Sequence, residues 1–402
     1  MCPAALRPMT GGPMTGGADR SMLQGDPAVD VWIMACEAHL ATGARELAMR
    51  LVSERPETRV ALSLGASDQA LPDRAMPPGI RNWPMPPAQV AAMARDLDRL
   101  SPGVLVILGG PVLAEAIDPA RARGCAVVLA GMGAPVLPNR WRLWPGTSRR
   151  LLRKIDRLMI TERRDMLAWR ALGAEDARLE HLGQMSPSQG ALPCNEAERE
   201  ALSAQLRLRP VWLAIGVPEA EETLILQAHG EALRLSHRLL LVLHLRDPAR
   251  GAHLRERIAG DVPVALRSGD DQVTQDTQVY IADTEGERGL WYRLASSCYM
   301  GGSLSPEGST LDPMEPAGLG AAVLHGPHCG SFGHTYALLR QREASLPVAA
   351  PASLGAAVSA VLDPQRAATL AQAAWQVISD CAGATDRVTD AVLTLLDRHE
   401  GA

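Results

Sequence analysis

Short runs that are apolar throughout recur along the chain. They are DVWIMA at 30–35, RVALSL at 59–64, GVLVIL at 103–108 and CAVVLA at 125–130. A second set follows, with RPVWLAI at 209–215, LLLVLHL at 239–245 and shorter runs at 262–266, 278–282 and 297–300. Between them, residues 42–54, 88–100 and 113–123 place apolar positions at helical spacing. Strands without a polar side need cover on both faces, which predicts parallel sheets sandwiched by helices. A further strand is predicted at 154–160, and a helix over 162–172 that ends at Gly173. Residues 72–87 are rich in Pro and Met and read as a loop. The alternation stops in a Ser-, Pro- and Gly-bearing stretch at 184–193 and then restarts. This predicts an α/β protein of two doubly wound, Rossmann-like domains, 30–183 and 209–402, facing a central cleft. A disordered lead-in (1–29) and a linker (184–208) complete the division, and a helix-rich tail over 353–399 closes the chain. Ligands of such sheets sit at the carboxyl ends of the strands.

A length of 402 residues suits two cores rather than one. The net charge of −5 argues against a nucleic-acid partner. The seven cysteines are scattered and never form CxxC, so they read as reduced thiols rather than a disulfide frame or a zinc site. No uncharged apolar stretch approaches the roughly 20 residues that span a bilayer. No spacing of acidic, His or Cys residues suggests a bound metal, and no cofactor is expected.

Two stretches carry candidate chemistry. The first, from Tyr299 to Phe332, reads strand, Gly-rich loop, short helix, strand, loop. Gly301 and Gly302 permit close approach of a ligand to backbone N–H groups, Ser303 follows them, and the helix near Pro313 favours negative charge. An ordinary βαβ turn has the same outline. The second, at 139–157, gathers Arg140, Arg142, Arg149 and Arg150 beside Trp141 and Trp144. Trp at the headgroup zone and Arg on anionic lipid make this a candidate acceptor and membrane surface, against the plainer reading of a solvated helix face.

Residues 209–345 resemble the C-terminal half of the 3-deoxy-D-manno-octulosonic acid (Kdo) transferases. The likeness is carried by RPVWLAIGVPEAEETLILQAH from Arg209, LRDPAR at 245–250, IADTEGERGLWYRLA at 281–295, and GGSL, DPMEP, VLHGPH and SF within the Gly-rich stretch. WIMA at 32–35 and RKIDRLMITERRDMLAWRALGA at 153–174 extend it into the first half. The resemblance implies a GT-B glycosyltransferase that moves Kdo, or a related sugar, from CMP-Kdo to a lipid A precursor in lipopolysaccharide synthesis. It implies a peripheral protein at the cytoplasmic side of the bacterial inner membrane. By the same resemblance, CMP falls to Arg246, to Gly286 and Glu287, and to Asp312, Pro313, Met314 and Glu315. Independently, Arg246 suits bidentate pairing with phosphate and Glu315 suits ribose hydroxyls.

The first half departs from the family's pattern. Counted without gaps from Trp32, the family's general base, a Glu, falls on Leu40. The carboxylates expected after the third strand are replaced by LGGPVLA at 108–114, and a Lys near the linker by QMS at 184–186. Glu37 and His39 follow the first strand and are the candidate catalytic residues; His325 and His328 are donor-side substitutes. The expected reaction is a metal-independent inverting transfer. A rival reading is a degenerate paralogue that binds a nucleotide or glycolipid as partner or regulator, and a third is a nucleotide-sugar epimerase or hydrolase.

Overall fold

The computed structural model describes residues 28–65, 76–136, 145–185, 192–206 and 209–401. Within these, the uniformly apolar runs form two seven-stranded, all-parallel sheets. In the first, β1 (Val31–Ala35), β2 (Val60–Leu64), β3 (Ile80–Asn82), β4 (Val104–Leu108), β5 (Ala126–Met132), β6 (Arg157–Ile160) and β7 (Leu179–His181) lie in the order 3-2-1-4-5-6-7. The second holds β8 (Val211–Val217), β9 (Leu240–Leu245), β10 (Val264–Leu266), β11 (Val279–Ala282), β12 (Ser297–Met300), β13 (Ala322–His325) and β14 (Ser345–Pro347), in the order 10-11-9-8-12-13-14.

Every residue of β1, β4 and β8 is buried, because helices cover both faces of each sheet. Each sheet accordingly has two apolar clusters, one per face. Strand order reverses between β1 and β4 in the first sheet and between β8 and β12 in the second. The chain leaves each of those neighbouring strands on opposite faces, opening a crevice at their carboxyl ends.

Three strands escape the hydrophobic pattern. The segments Ile80–Asn82, Leu179–His181 and Ser345–Pro347 are three-residue edge strands that carry polar side chains or Pro. The strand predicted over 154–160 begins only at Arg157, and the helix predicted over 162–172 is a 3₁₀ turn followed by Met166–Ala171. The lead-in boundary also shifts. Val29 is buried, and its N–H donates to the Leu100 carbonyl at 2.8 Å, so the first unit already includes it.

The last helix, Pro364–Glu400, is capped by Asp363, whose carboxylate accepts from the Gln365 N–H at 3.0 Å. Its Ala374, Val377 and Cys381 pack in the second unit's core, whereas Ala384, Val388, Val392 and Leu395 pack in the first unit's. This helix is therefore shared between the units, instead of belonging to 209–402 alone.

Buried His229 is expected to contribute acid sensitivity to the fold. His229 accepts a hydrogen bond at Nδ1 from the Trp212 indole N–H at 3.1 Å, and burial pushes its pKa down to about 4. Between pH 6.5 and about 4 the unfolded chain binds a proton that the folded chain refuses, so stability falls as pH falls through this window. Urea unfolding should show a lower midpoint at pH 5 than at pH 7. His229→Gln, which keeps an acceptor for Trp212, should shrink that difference; an unchanged difference would assign the acid sensitivity elsewhere.

Candidate functional site

The crevice of the first sheet is built on two glycines. Gly109 and Gly110, directly after β4, both take positive φ (65° and 75°). A Cβ at 109 would collide with Leu40, and one at 110 would lie 2.8 Å from the Cys36 Cβ. The bare backbone lets the Gly110 N–H donate to Glu37 Oε1 at 2.7 Å, across the strand reversal. The other carboxylate oxygen of Glu37 lies 3.3 Å from His39 Nδ1. This tie leaves Nε2 as the imidazole nitrogen able to receive a proton. Leu40, reached by the gap-free count from Trp32, is buried beneath this loop. The cleft is therefore offered Glu37 and His39, the first with 45% of its side chain exposed and the second with 30%.

His334 faces them from the second unit, on the helix Gly333–Gln341. Its ring stacks on that of His39 with centroids 4.2 Å apart and planes inclined by 29°. On its far side, Nε2 of His334 lies 3.3 Å from Gln184 Oε1, at the start of the linker. Loss of surrounding water lowers the pKa of both rings; a charge on His334 lowers that of His39 further, and Glu37 raises it in part. His39 is thus held neutral and able to accept a proton at physiological pH. Burial, reinforced by Glu37, pushes the neighbouring Cys36 thiol up to about 11, so it is not a thiolate nucleophile.

The second crevice holds the Gly-rich loop. Gly302 has φ of 81°, and a Cβ there would collide with Arg246 Nη2 and the Gly308 carbonyl. A Cβ on Gly301 would lie 2.6 Å from the carbonyls of Ile215 and Gly216, so the carboxyl end of β8 and the loop after β12 touch backbone to backbone. Both glycines are therefore needed for close approach. Ser303 is buried; its hydroxyl donates to the Met300 carbonyl at 2.5 Å and accepts from the Gly326 N–H at 2.8 Å.

What holds this loop is Glu221, in the first turn of the helix Glu219–Leu233. Only 2% exposed, it accepts from the Gly302 N–H (2.8 Å), the Leu304 N–H (2.9 Å) and the Tyr299 hydroxyl (3.0 Å). Sequence reasoning missed it, because nothing in PEAEET marks which of its three carboxylates the loop will pack on.

Arg246 reaches the loop from the end of β9. It donates to Glu307 Oε2 and to the Gly308 carbonyl, both at 2.9 Å. Glu287 takes Arg267 bidentately at 2.7 and 3.1 Å and also accepts from the Thr284 hydroxyl. Burial would raise its pKa, but these hydrogen bonds and the Arg267 charge outweigh it and hold it below the usual value. Gly286, before it, has φ of 82°. The Asp312 carboxylate caps the helix Met314–Gly318 by accepting from the Met314 N–H at 2.9 Å, with Pro313 between them. Glu315 accepts from Arg288 at 2.9 Å and from the Tyr292 hydroxyl at 3.0 Å, and burial raises its pKa.

The structure thus gathers Arg246, Gly301, Gly302 and Ser303 into one loop site. Glu287 and Glu315 stand in two separate sets of hydrogen bonds, where their oxygens already have protein partners. His325 is buried, with Nδ1 2.8 Å from the Gly326 carbonyl and Nε2 3.3 Å from the Ser345 hydroxyl, and is a packing residue. His328 is exposed, and its backbone ties the loop by accepting from the Ser309 N–H at 3.0 Å. Arg149 and Arg150 are exposed on the helix Pro145–Leu152. Arg140, Trp141, Arg142 and Trp144 lie outside the described residues.

Residues 15–186 match the family model described as 3-deoxy-D-manno-octulosonic-acid transferase (kdotransferase). The 3-deoxy-D-manno-octulosonic acid transferase of Haemophilus influenzae is 29% identical over 194 residues, 48% of this chain and 45% of that protein. The probable mitochondrial 3-deoxy-D-manno-octulosonic acid transferase of Arabidopsis thaliana is 31% identical over 142 residues, 35% of this chain and 32% of that protein. The chain spans half or less of the length of these two relatives. Among solved structures, MurG of Acinetobacter baumannii superimposes with a TM-score of 0.52 over 90% of this chain and 99% of that one, at 14% identity, a likeness of fold. Residues 15–186 and the two relatives thus show a likeness to the 3-deoxy-D-manno-octulosonic acid transferases over part of the chain, and the paired Rossmann-like sheets give it the GT-B fold.

Proposed function

We propose that the chain transfers Kdo, or a closely related sugar, from its CMP conjugate to a hydroxyl of a lipid A precursor. The observation that carries this reading is the pairing of two crevices. A Glu–His pair stands at the strand reversal of the first sheet, and an Arg-bearing Gly loop at that of the second. His39 Nε2 takes the proton of the acceptor hydroxyl while Glu37 orients the ring and offsets its charge. The freed oxygen pair forms the bond to the anomeric carbon, and the anomeric carbon–phosphate oxygen bond breaks. Its electron pair leaves with CMP, whose phosphate meets Arg246 in the loop of Gly301 and Gly302. The proton ends on His39.

Arg246 exchanges Glu307 for the CMP phosphate in this scheme. Arg246→Ala should weaken CMP-sugar binding by about 10- to 100-fold, the worth of a charge-assisted contact. Glu307→Gln, which removes the competing carboxylate, should strengthen it. Titration calorimetry with CMP and CMP-Kdo measures both; equal affinities in the three proteins would remove Arg246 from the phosphate site.

The acceptor side extends to the membrane in the same reading. No described helix is long and apolar enough to cross a bilayer. The helix bearing the exposed Arg149 and Arg150 packs through Arg149 on Gly173, which follows the helix of Leu167, 69% exposed. Exposed cationic side chains on one helix and an exposed apolar side chain on the other suit peripheral contact with an anionic surface at the cytoplasmic face of the inner membrane.

A further inference from the structure

The catalytic half-site of the first unit is completed by a residue of the second. His39 and Glu37 belong to the loop after β1, but the group stacked on His39 is His334, on the far side of the cleft. His334 is fixed at its other edge by Gln184. It is also tied to the donor loop through its own segment. Gly330, four residues before it, packs on Ser309 so closely that a Cβ would collide with the Ser309 carbonyl. The Ser309 N–H donates to the His328 carbonyl at 3.0 Å. A continuous path of packed backbone therefore runs from the Gly301–Ser309 loop, through 328–333, to the ring that lies on His39.

We propose that His334 is the positioning residue for the base: delivered by the donor-side unit, it holds the His39 ring in its reactive orientation, and so links the state of the donor loop to activation of the acceptor. The inference rests on the transfer reading above. Two features of the geometry support it. A ring face 4.2 Å away leaves the His39 ring little freedom to turn about its Glu37 tie, which removes rotamers that would point Nε2 away from the cleft. The contact also spans two units whose relative position sets it, so the base is assembled only when the units face each other as they do here.

The test uses the full-length chain, with histidines labelled at Cε1, in three forms: wild type, His334→Ala and His334→Phe. The His39 resonance, assigned from its loss in His39→Asn, should carry the ring-current displacement of the stacked neighbour in wild type. It should move in His334→Ala and remain near the wild-type position in His334→Phe, where an aromatic face is kept. In acceptor-dependent CMP release, His334→Ala should lower kcat by about 100-fold, the scale of an ångström-level misplacement, with little change in the dissociation constant for CMP-Kdo. His334→Phe should recover most of the rate. A His39 resonance that is the same in all three proteins, or a kcat in His334→Ala equal to that of wild type, would overturn the proposal. A wild-type protein that shows the displaced His39 signal yet releases no CMP would overturn the transfer reading and leave the stacking intact.

Discussion

Replacing His39 by alanine, or Glu37 by glutamine, is expected to lower acceptor-dependent CMP release by about 100- to 10,000-fold, the range a positioned base contributes. The two variants should fail differently. His39→Ala removes the proton acceptor itself. Glu37→Gln leaves the ring in place but removes the carboxylate that fixes its tautomer and offsets the imidazolium charge, while the Gly110 N–H keeps an oxygen partner in the amide. Neither side chain touches the donor loop, so titration with CMP-Kdo should give near-wild-type dissociation constants for both. Full turnover in His39→Ala would move the base elsewhere. Loss of donor binding in either variant would mean that this pair acts through the fold.

A second large effect falls on stability. Glu221→Leu should destabilise the protein by several kcal/mol, because each buried donor left without a partner costs about 1–3 kcal/mol. Three such donors converge on this carboxylate: the N–H groups of Gly302 and Leu304 and the hydroxyl of Tyr299. Tyr299→Phe removes one of the three and leaves the others satisfied, so its cost should be near that of a single hydrogen bond, about 1 kcal/mol. Urea unfolding of the two variants measures the ratio. CMP affinity should fall in Glu221→Leu, since the loop that approaches Arg246 is the loop released. Equal stabilities would show that the loop is held by its own turns.

The two sheets were legible in the sequence because parallel strands buried on both faces read as apolar runs, with no polar phase to confuse them with exposed strands. The edge strands were not, since three residues such as Leu-Glu-His carry no period. The donor loop was legible through Gly301 and Gly302. Its support was not: Glu221 is a surface-like residue in the sequence and a buried acceptor of three hydrogen bonds in the fold.

The first unit shows a different limit. Position-by-position reading placed Leu40 where the family keeps its base, and the structure buries Leu40 in the core. The exposed polar positions of the same turn are Glu37 and His39, which sequence reasoning did single out. The segment LGGPVLA read as a loss of carboxylates, but its two glycines are what allow a backbone N–H to reach Glu37. His334 carried no local signal, being 295 positions from His39; only the packing of one unit against the other brings the rings together.

The most direct measurement is CMP release from CMP-Kdo by the wild-type chain, with and without a lipid A precursor. Transfer by the Glu37–His39 pair predicts release that requires the acceptor and disappears in His39→Ala. Tight binding of CMP-Kdo with no release in the presence of acceptor, or release at the same rate without it, would contradict the account.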